Sequence, residues 1–302
     1  MINKQINYTV TIILIAFQLG CAHLWADTQS AERETVDEVR LMSWNLLREK
    51  WAKPGHAAWT ERGPSAIRIL REHQPDVVGL QEETADQVSS ITSALPSYSY
   101  VKPLHRSGGG LLIRSNAWHV IESGKIPIPR GRQASWALLK STRSNAHWLF
   151  YNAHFMHQSA RNSAEHRMEA AELIAEHMAK YAPPGVPVAM TGDFNTLHDQ
   201  PSMRYLGGEA GSPVKFSNAF NMIHDADDPR GTFRGLSKAH HCERIDHILY
   251  NEHVTVVNAE ILFYDELPGA YPSDHYPLQA TLTTPLQHSV QEEPNRPIEA
   301  TR

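Results

Sequence analysis

The sequence predicts a layered α/β sandwich, and three observations lead there. From about residue 38 to 285, short apolar runs of strand length alternate with stretches of helical periodicity. No internal repeat, low-complexity tract or Pro/Gly-rich boundary divides that span, so it reads as one domain. With 302 residues, 41% of them hydrophobic and 20% charged, the chain has an ordinary globular composition and enough apolar side chains for a sizeable core.

Strands are expected, in order, at Val39–Trp44, Val77–Leu80, Gly110–Ile113, Ala134–Lys140, Trp148–Phe155, Val186–Met190, Ile245–Tyr250, Val254–Phe263 and Pro277–Leu282. Helices fall between some of them. Pro64 suits a first-turn position ahead of Ile67 and Leu70. Thr84 can cap a helix that aligns Val88, Ile91 and Leu95. From Ser159 to Lys180, Ala164, Met168, Ala171, Ile174 and Met178 keep a stripe with a period of about 3.6 residues, which Pro183-Pro184-Gly185 ends.

Residues 1–26 read as a secretory signal: Lys4 precedes an apolar segment, Val10–Leu19, and small residues follow at Gly20, Cys21, Ala22 and Ala26. That segment is too short to span a bilayer. Two cleavages fit. One follows Ala26 and releases the chain. The other precedes Cys21, where Leu19-Gly20-Cys21 looks like the end of a bacterial lipoprotein box, with Gln18 departing from the usual apolar residue. The expected location is therefore periplasmic or extracellular, and a membrane tether through lipidated Cys21 stays open. Residues 27–37 read as a linker and 286–302 as a disordered tail. Cys242 is the other cysteine, so neither cleavage leaves an evident intrachain disulfide. A formal net charge of -5 and a pI near 6.4 argue against a whole-surface grip on duplex nucleic acid but leave room for a local basic patch.

Two runs carry the strongest chemical signal. Thr191-Gly192-Asp193-Phe194-Asn195 and Tyr271-Pro272-Ser273-Asp274-His275-Tyr276-Pro277 each set a carboxylate beside a hydrogen-bonding or proton-donating partner, in a tight turn against an apolar strand. Metal-assisted phosphate chemistry needs such groups. Asn45, Glu82, His154 and Asp246 also sit at or near strand ends, where side chains from several strands can converge on one cleft. Each alone fits a turn or a cap; their joint occurrence points to a site.

The pattern resembles the endonuclease/exonuclease/phosphatase (deoxyribonuclease I-like) superfamily. Six motifs stand in that family's order across nearly the whole domain: Ser43-Trp44-Asn45, Gln81-Glu82, Asn152-Ala153-His154, Gly192-Asp193-Phe194-Asn195, Arg244-Ile245-Asp246-His247 and Ser273-Asp274-His275. Trp59-Thr60-Glu61-Arg62 and Gly231-Thr232-Phe233 look like features of a secreted bacterial branch. The resemblance implies a four-layer α-β-β-α sandwich, two face-to-face β-sheets flanked by helices, and divalent-metal-dependent attack of water on a phosphate ester. It implies Glu82 as a hard oxygen ligand to Mg²⁺ or Mn²⁺, with Asn45 and Asp274 completing a sparse, hydrated shell. Asp193 would orient or deprotonate the water, and the Asn195 amide would donate to a non-bridging phosphate oxygen. His275, kept as imidazolium by Asp246 and so raised in pKa, would donate to the phosphate, and His154 would touch the phosphate or the leaving group. One departure stands out: apurinic endonucleases carry an acidic residue two positions after the first motif's Asn, and here that position is Leu47, which weakens the case for the same metal shell and for abasic-site repair.

The substrate class stays open among nucleic acid, phospholipid and a small phosphodiester, with a diesterase favoured over a monoesterase and a non-catalytic binding protein as the contrasting reading. No protein partner is implied. Between Val101 and Arg143, Lys102, Arg106, Arg114, Lys125, Arg130, Arg132, Lys140 and Arg143 face a single acid, Glu122, and are expected to line the phosphate side of a cleft. Arg130 and Arg132 lead that group, because Pro127 and Pro129 stiffen their approach. Trp51 and Trp59 would be apolar anchors for a lipid substrate, against a commoner packing role. His240-His241-Cys242 with His247 lacks the paired spacing of structural zinc sites. His154 and His157, three apart in an apparent strand, are expected on opposite faces. Gly108-Gly109-Gly110 reads as a flexible turn rather than a phosphate cradle.

Overall fold

The computed structural model describes residues 36–48, 57–101, 109–235, 242–264 and 271–285. The signal segment, nearly all of the linker, the tail, Trp51, Lys102, Arg106, Gly108, His240 and His241 lie outside the described residues. Glu38–Thr284 forms one compact unit.

Strand after strand carries apolar side chains on both faces, the pattern of a sheet covered on both sides. In β1 (Val36–Asn45), Leu41 joins one core while Met42 and Trp44 join another; in β2 (Val77–Gln81), Val77 and Val78 divide in the same way. These two strands pair in parallel, and with β3 (Tyr98–Val101), β4 (Leu111–Arg114), β11 (Thr255–Ile261) and β12 (Leu278–Pro285) they form a six-stranded sheet in the order β11-β12-β1-β2-β4-β3. A second six-stranded sheet holds β5 (Trp118–Ile128), β6 (Arg132–Ser141), β7 (His147–His154), β8 (Val188–Asp193), β9 (Ser217–Asn218) and β10 (Asp246–Tyr250), in the order β5-β6-β7-β8-β10-β9. The inner faces meet in a central core that includes Leu41, Val77, Trp148, Phe150, Ile248 and Leu278. Outside the first sheet lie α1 (Trp59–His73) and α2 (Ala85–Ala94), and outside the second lie α3 (Ser163–Tyr181) and α4 (Pro201–Leu206), each closing its own apolar layer. The short α5 (Ala219–Ile223) follows β9 and adds Phe220 to the central core. This is a mixed-sheet α-β-β-α sandwich.

Local signals place several elements and miss others. Thr84 caps α2 in a reciprocal box with Gln87, as its position before an amphipathic run predicts. By contrast α1 starts at Trp59, so Pro64 lies inside it rather than in the first turn. Packing of the first turn offsets that break: the Trp59 indole N–H donates to Ser90 Oγ at 2.8 Å, and Gly63 leaves room for the ring. The third helix begins at Ser163, not Ser159; Ala170, Ala171, Ile174, Ala175 and Met178 form its buried stripe, and Ala164 is exposed. The long β5 has no hydrophobic period because it is an edge strand exposed along most of its length, which also explains how it accommodates Pro127.

A buried polar seam joins the sheets. Asn152 on β7 donates through Nδ2 to Leu80 O (2.7 Å) and Gly110 O (2.9 Å), across the gap to the first sheet. Its Oδ1 accepts from Gln81 Nε2 (2.7 Å) and Thr191 Oγ1 (3.1 Å). Every polar edge of that amide is thus paired in a low-dielectric interior, where an unpaired one would cost about 1–3 kcal/mol. Such a close approach needs Gly79, because a Cβ there would overlap Thr191 Oγ1 and lie 2.6 Å from Asn152 Oδ1. Gly79→Ala should therefore destabilise the protein by about 1–3 kcal/mol through overpacking. In denaturant titrations its cost should be non-additive with Thr191→Ala, which makes part of the space; full additivity would place the strain elsewhere.

Candidate active site

Strand register gathers the polar residues. Asn45, the last residue of β1, aligns with Gln81, and Glu82 follows immediately after β2. In the second sheet His154, the last residue of β7, aligns with Asp193, the last of β8, which in turn aligns with Asp246, the first of β10. Asp274 and His275 arrive on the segment leading into β12. Parallel pairing of β1 with β2 and of β7 with β8, and antiparallel pairing of β8 with the start of β10, bring these ends to one rim in each sheet, and the seam at Asn152 holds the two rims together.

The Asp193 carboxylate is the point of convergence. Its Oδ2 accepts from Asn45 Nδ2 at 3.0 Å and lies 3.5 Å from His154 Nε2 and 3.9 Å from His275 Nε2. Its Oδ1 accepts from the Asn195 backbone N–H at 3.0 Å. On the far side of the His275 ring, Nδ1 meets Asp246 Oδ2 at 2.8 Å, so Asp246 fixes the ring and favours its charged form. Asn195 donates through Nδ2 to Phe155 O at 3.1 Å, and Phe194 between the two polar residues packs its ring on Phe155 at 4.9 Å. Three residues around this centre, Leu47, Glu82 and Asn195, have positive φ values of 52°, 61° and 50°. Backbone strain of this kind, about 1–3 kcal/mol at each, persists where surrounding contacts impose it.

Burial and charge set the protonation states. Burial raises the Asp193 pKa, the charge of Asp246 adds to this, and His275 and Asn45 counter it. For His275, burial alone would lower the pKa, but the Asp246 carboxylate outweighs it and holds the imidazolium up to about 10, in the direction the sequence predicts. Glu82 is also raised, first by burial and then by Asp274, while the Arg48 backbone N–H at 3.0 Å and His275 stabilise its charged form.

Glu82, His154, Asp193, Asn195, Asp274 and His275 line a cavity of about 350 Å³ that also includes Arg132, His157, Gln158, Ser159, Phe233 and Glu243, with Asn45 and Asp246 buried behind that lining. His154 and His157 share it, contrary to their expected opposite faces, because β7 ends at His154 and the chain turns. Arg132 donates to His154 O (3.1 Å) and Phe155 O (2.7 Å). Arg130 is exposed and does not line the cavity: it sits in the turn before β6 with φ 61°. Among its described residues, the basic stretch does not form one wall either. Arg114 pairs with Asp76 and Arg143 lies 3.8 Å from the same carboxylate, at the end of β2 opposite Glu82, roughly 20 Å away at strand rise. Trp59 is buried in the first outer core and offers no lipid anchor.

Other sequence features resolve into structural parts. Gly109 and Gly110 do cradle an anion, one from the chain itself: their N–H groups donate to the buried Glu83 carboxylate at 2.8 and 2.7 Å, and Tyr100 OH joins at 2.6 Å. Burial raises the Glu83 pKa against those bonds. His247 is no metal ligand in this arrangement, since Nε2 faces Thr196 O and Nδ1 faces Asn218 Nδ2, both at 3.0 Å.

Residues 42–275 match the profile described as the Endonuclease/Exonuclease/phosphatase family. The chain belongs to the endonuclease/exonuclease/phosphatase family. Members of this family are phosphoester hydrolases. No curated protein matches the chain by sequence. Among solved structures, an endonuclease/exonuclease/phosphatase family protein from Bacteroides thetaiotaomicron superposes with a TM-score of 0.69 at 21% identity, covering 82% of this chain and 98% of that one. A mannosyl-6-phosphatase from the same organism gives 0.67 at 21% identity, covering 81% and 99%. The human Nocturnin catalytic domain with bound sulfate gives 0.67 at 20% identity, covering 81% and 94%. At these identities the likeness shows the endonuclease/exonuclease/phosphatase fold.

Several working parts of this family member escape sequence reasoning. Gln81, Asn152 and Thr191 sit inside or beside recognised motifs, yet only the seam reveals their task. Thr232 Oγ1 accepts from the Ile245 and Asp246 backbone N–H groups at 3.2 and 3.1 Å, fixing the start of β10. Gln158 and Glu243, from separate segments, meet at 3.3 Å across the cavity mouth. No local period announces any of these.

Buried His247 gives a pH test. Burial lowers its pKa to about 4, so between there and the unfolded value near 6.5 the unfolded chain binds more protons than the folded one. Stability is then full above about pH 6.5 and falls, by on the order of 3 kcal/mol, as pH drops toward 4. His247→Gln should flatten that slope in denaturant titrations between those pH values; an unchanged slope would assign the loss to other groups.

Proposed function

We propose that the protein is an exported, Mg²⁺- or Mn²⁺-dependent phosphodiesterase that hydrolyses its substrate by activated-water attack. The observation that carries the reading is the Asp193 oxygen set among Asn45, His154 and the Asp246-backed His275 on a cavity floor. Residues 1–26 support export, by release after Ala26 or by a lipid tether at Cys21.

The donor set fits a hard cation. Asp193, Asp246 and His275 bring ligand-type atoms within 4.8 Å of one another, but Asp246 Oδ2 and His275 Nδ1 are spent on each other. Burial, and after it the charge of Asp274, raise the proton affinity of Glu82, as in a site where two carboxylates share one desolvated volume. Glu82 and Asp274 would hold the ion, with the second lone pair of Asn45 Oδ1, whose first accepts from Leu47 N–H at 2.9 Å, as a weaker donor, an oxygen-only set suited to Mg²⁺ or Mn²⁺. When bound, the ion would polarise the phosphate and offset its charge. Asp193, with raised proton affinity, accepts the proton of the attacking water. His275 and the free edge of the Asn195 amide face the charge that develops on the phosphoryl oxygens, and His154 faces the leaving side. Arg132 adds a fixed positive charge in the same cavity.

Of the nucleic-acid, phospholipid and small-diester substrates, the first loses the support of a continuous basic wall and the second that of a Trp59 anchor. A second reading, a monoesterase acting on a polyhydroxyl phosphate, is favoured by the Gln158–Glu243 pair at the cavity mouth, an amide and a carboxylate suited to alcohol hydroxyls. One protein of similar fold is a mannosyl-6-phosphatase.

Hydrolysis of bis(p-nitrophenyl) phosphate should require Mg²⁺ or Mn²⁺, stop with chelator, and fall by about 10²–10⁴-fold in His275→Ala and in Asp193→Ala. Turnover of p-nitrophenyl phosphate and sugar phosphates but not of the diester would decide for the second reading. Loss of neither activity on chelation would overturn metal dependence. Arg132→Ala should raise KM with little change in unfolding temperature, whereas Arg130→Ala should leave kinetics unchanged.

A further inference from the structure

The side chain of Arg62 is buried to within 1% of full exclusion, on α1 and away from the cavity lining. It reaches back to the loops that carry the proposed metal donors. Its Nη1 donates to Leu46 O at 2.5 Å and to Pro272 O at 2.8 Å, and its Nη2 donates to Leu47 O. Leu46 and Leu47 directly follow Asn45; Pro272 stands two residues before Asp274. One planar guanidinium therefore ties the segment leaving β1 to the segment entering β12, and its contact with Pro272 alone bridges 210 residues of sequence.

Neighbouring bonds complete the tie. Ser273 Oγ donates to Asn45 O at 2.6 Å, so the two segments also touch each other. Gln87 Nε2 on α2 donates to Leu47 O at 3.2 Å, backing the same carbonyl. The Trp59 ring, 5.0 Å from the Arg62 guanidinium, covers it from within the helix. Leu47 itself has φ 52°, a conformation that needs its carbonyl held.

Resting on the metal-dependent reading above, we propose that Arg62 is a positioning residue that sets the spacing of Asn45 and Asp274, and so the affinity of the site for a divalent cation, without touching substrate or ion. The geometry of the guanidinium is what matters. Its fork reaches three carbonyls on two segments at fixed angles, which a lysine ammonium, a single point donor, cannot reproduce. Outer residues that orient metal ligands typically control metal affinity by about 10–100-fold.

The test is Mn²⁺ titration followed by electron paramagnetic resonance on the purified protein, comparing wild type, Arg62→Lys and Gln87→Leu, with circular dichroism and metal-free unfolding temperature recorded for each. Arg62→Lys should remain folded, bind Mn²⁺ about 10–100-fold more weakly, and recover most of its turnover at saturating metal. Gln87→Leu, which removes the bonds to Leu46 O and Leu47 O together with the Gln87 half of the α2 capping box, should lower the unfolding temperature and also show a smaller shift in Mn²⁺ affinity in the same direction, which keeps the proposal testable if the lysine variant does not fold. If the folded variants lower the unfolding temperature but bind Mn²⁺ as tightly as wild type, Arg62 is a structural support only and the proposal fails. If wild type itself binds no Mn²⁺, the metal-dependent reading fails first, and Arg62 falls with it.

Discussion

The amide of Asn152 is the interaction on which the rest of the structure depends. Two sheets packed face to face are held over most of their area by non-directional apolar contact, which sets their separation but tolerates sliding. At the rim that carries the site, the packing gives way to a directional contact: a single amide pairs with groups from both sheets, and Gly79 opposite lets them come close enough to meet. A slide of either sheet would break several buried hydrogen bonds at once. The seam converts an apolar sandwich into one with a fixed relation between the ends of β2, β7 and β8, and those ends are where Glu82, His154 and Asp193 stand.

Above the seam, the site is built in tiers that each restrict the next. Strand register puts Asp193 level with His154 on one side and Asp246 on the other. Loop clamps then bring in the groups that no strand carries. Arg62 gathers the carbonyls beside Asn45 and Asp274, while Thr232 fixes the backbone of Asp246 and its carbonyl accepts from Tyr276 N–H at 2.8 Å, next to His275. Most of these holding bonds run from a side chain to main-chain groups, so they fix where the backbone goes and leave the functional side chains facing the cavity. The left-handed turns at Leu47, Glu82 and Asn195 mark where this construction works against local preference.

The electrostatics follow from the same convergence. Asp193, Asp246, Glu82 and Asp274 are brought into one partly desolvated volume, and the described cations closest to the chemistry are His275 and Arg132. Burial of the carboxylates, and after it their mutual repulsion, raise the proton affinity of Asp193 and Glu82, and the proximity of Asp246 keeps His275 charged. A base, an acid and an anion-rich pocket thus emerge from one arrangement of charge.

Much of this was legible in the chain. Short, continuous apolar runs located the main strands, the Thr84 cap located α2, and the six polar motifs named the side chains that now meet around the Asp193 carboxylate, because residue type and spacing report burial, capping and chemistry locally. The misses share a cause. Exposed β5 lacks a period, since an edge strand has little to bury. Arg130 looked equivalent to Arg132, and Arg114 and Arg143 were grouped with both, because composition along a segment does not say which end of a strand reaches the site; of these four, pairing brought Arg132 alone into the cavity. Arg62, Thr232 and the Gln158–Glu243 pair act through partners distant in sequence, so only the folded chain could assign them. The sequence by itself determined which elements form and which side chains could do phosphate chemistry. Tertiary structure alone decided which of them share a cavity and at what distance, because that depends on sheet direction, register and close approach, none of which leaves a local trace.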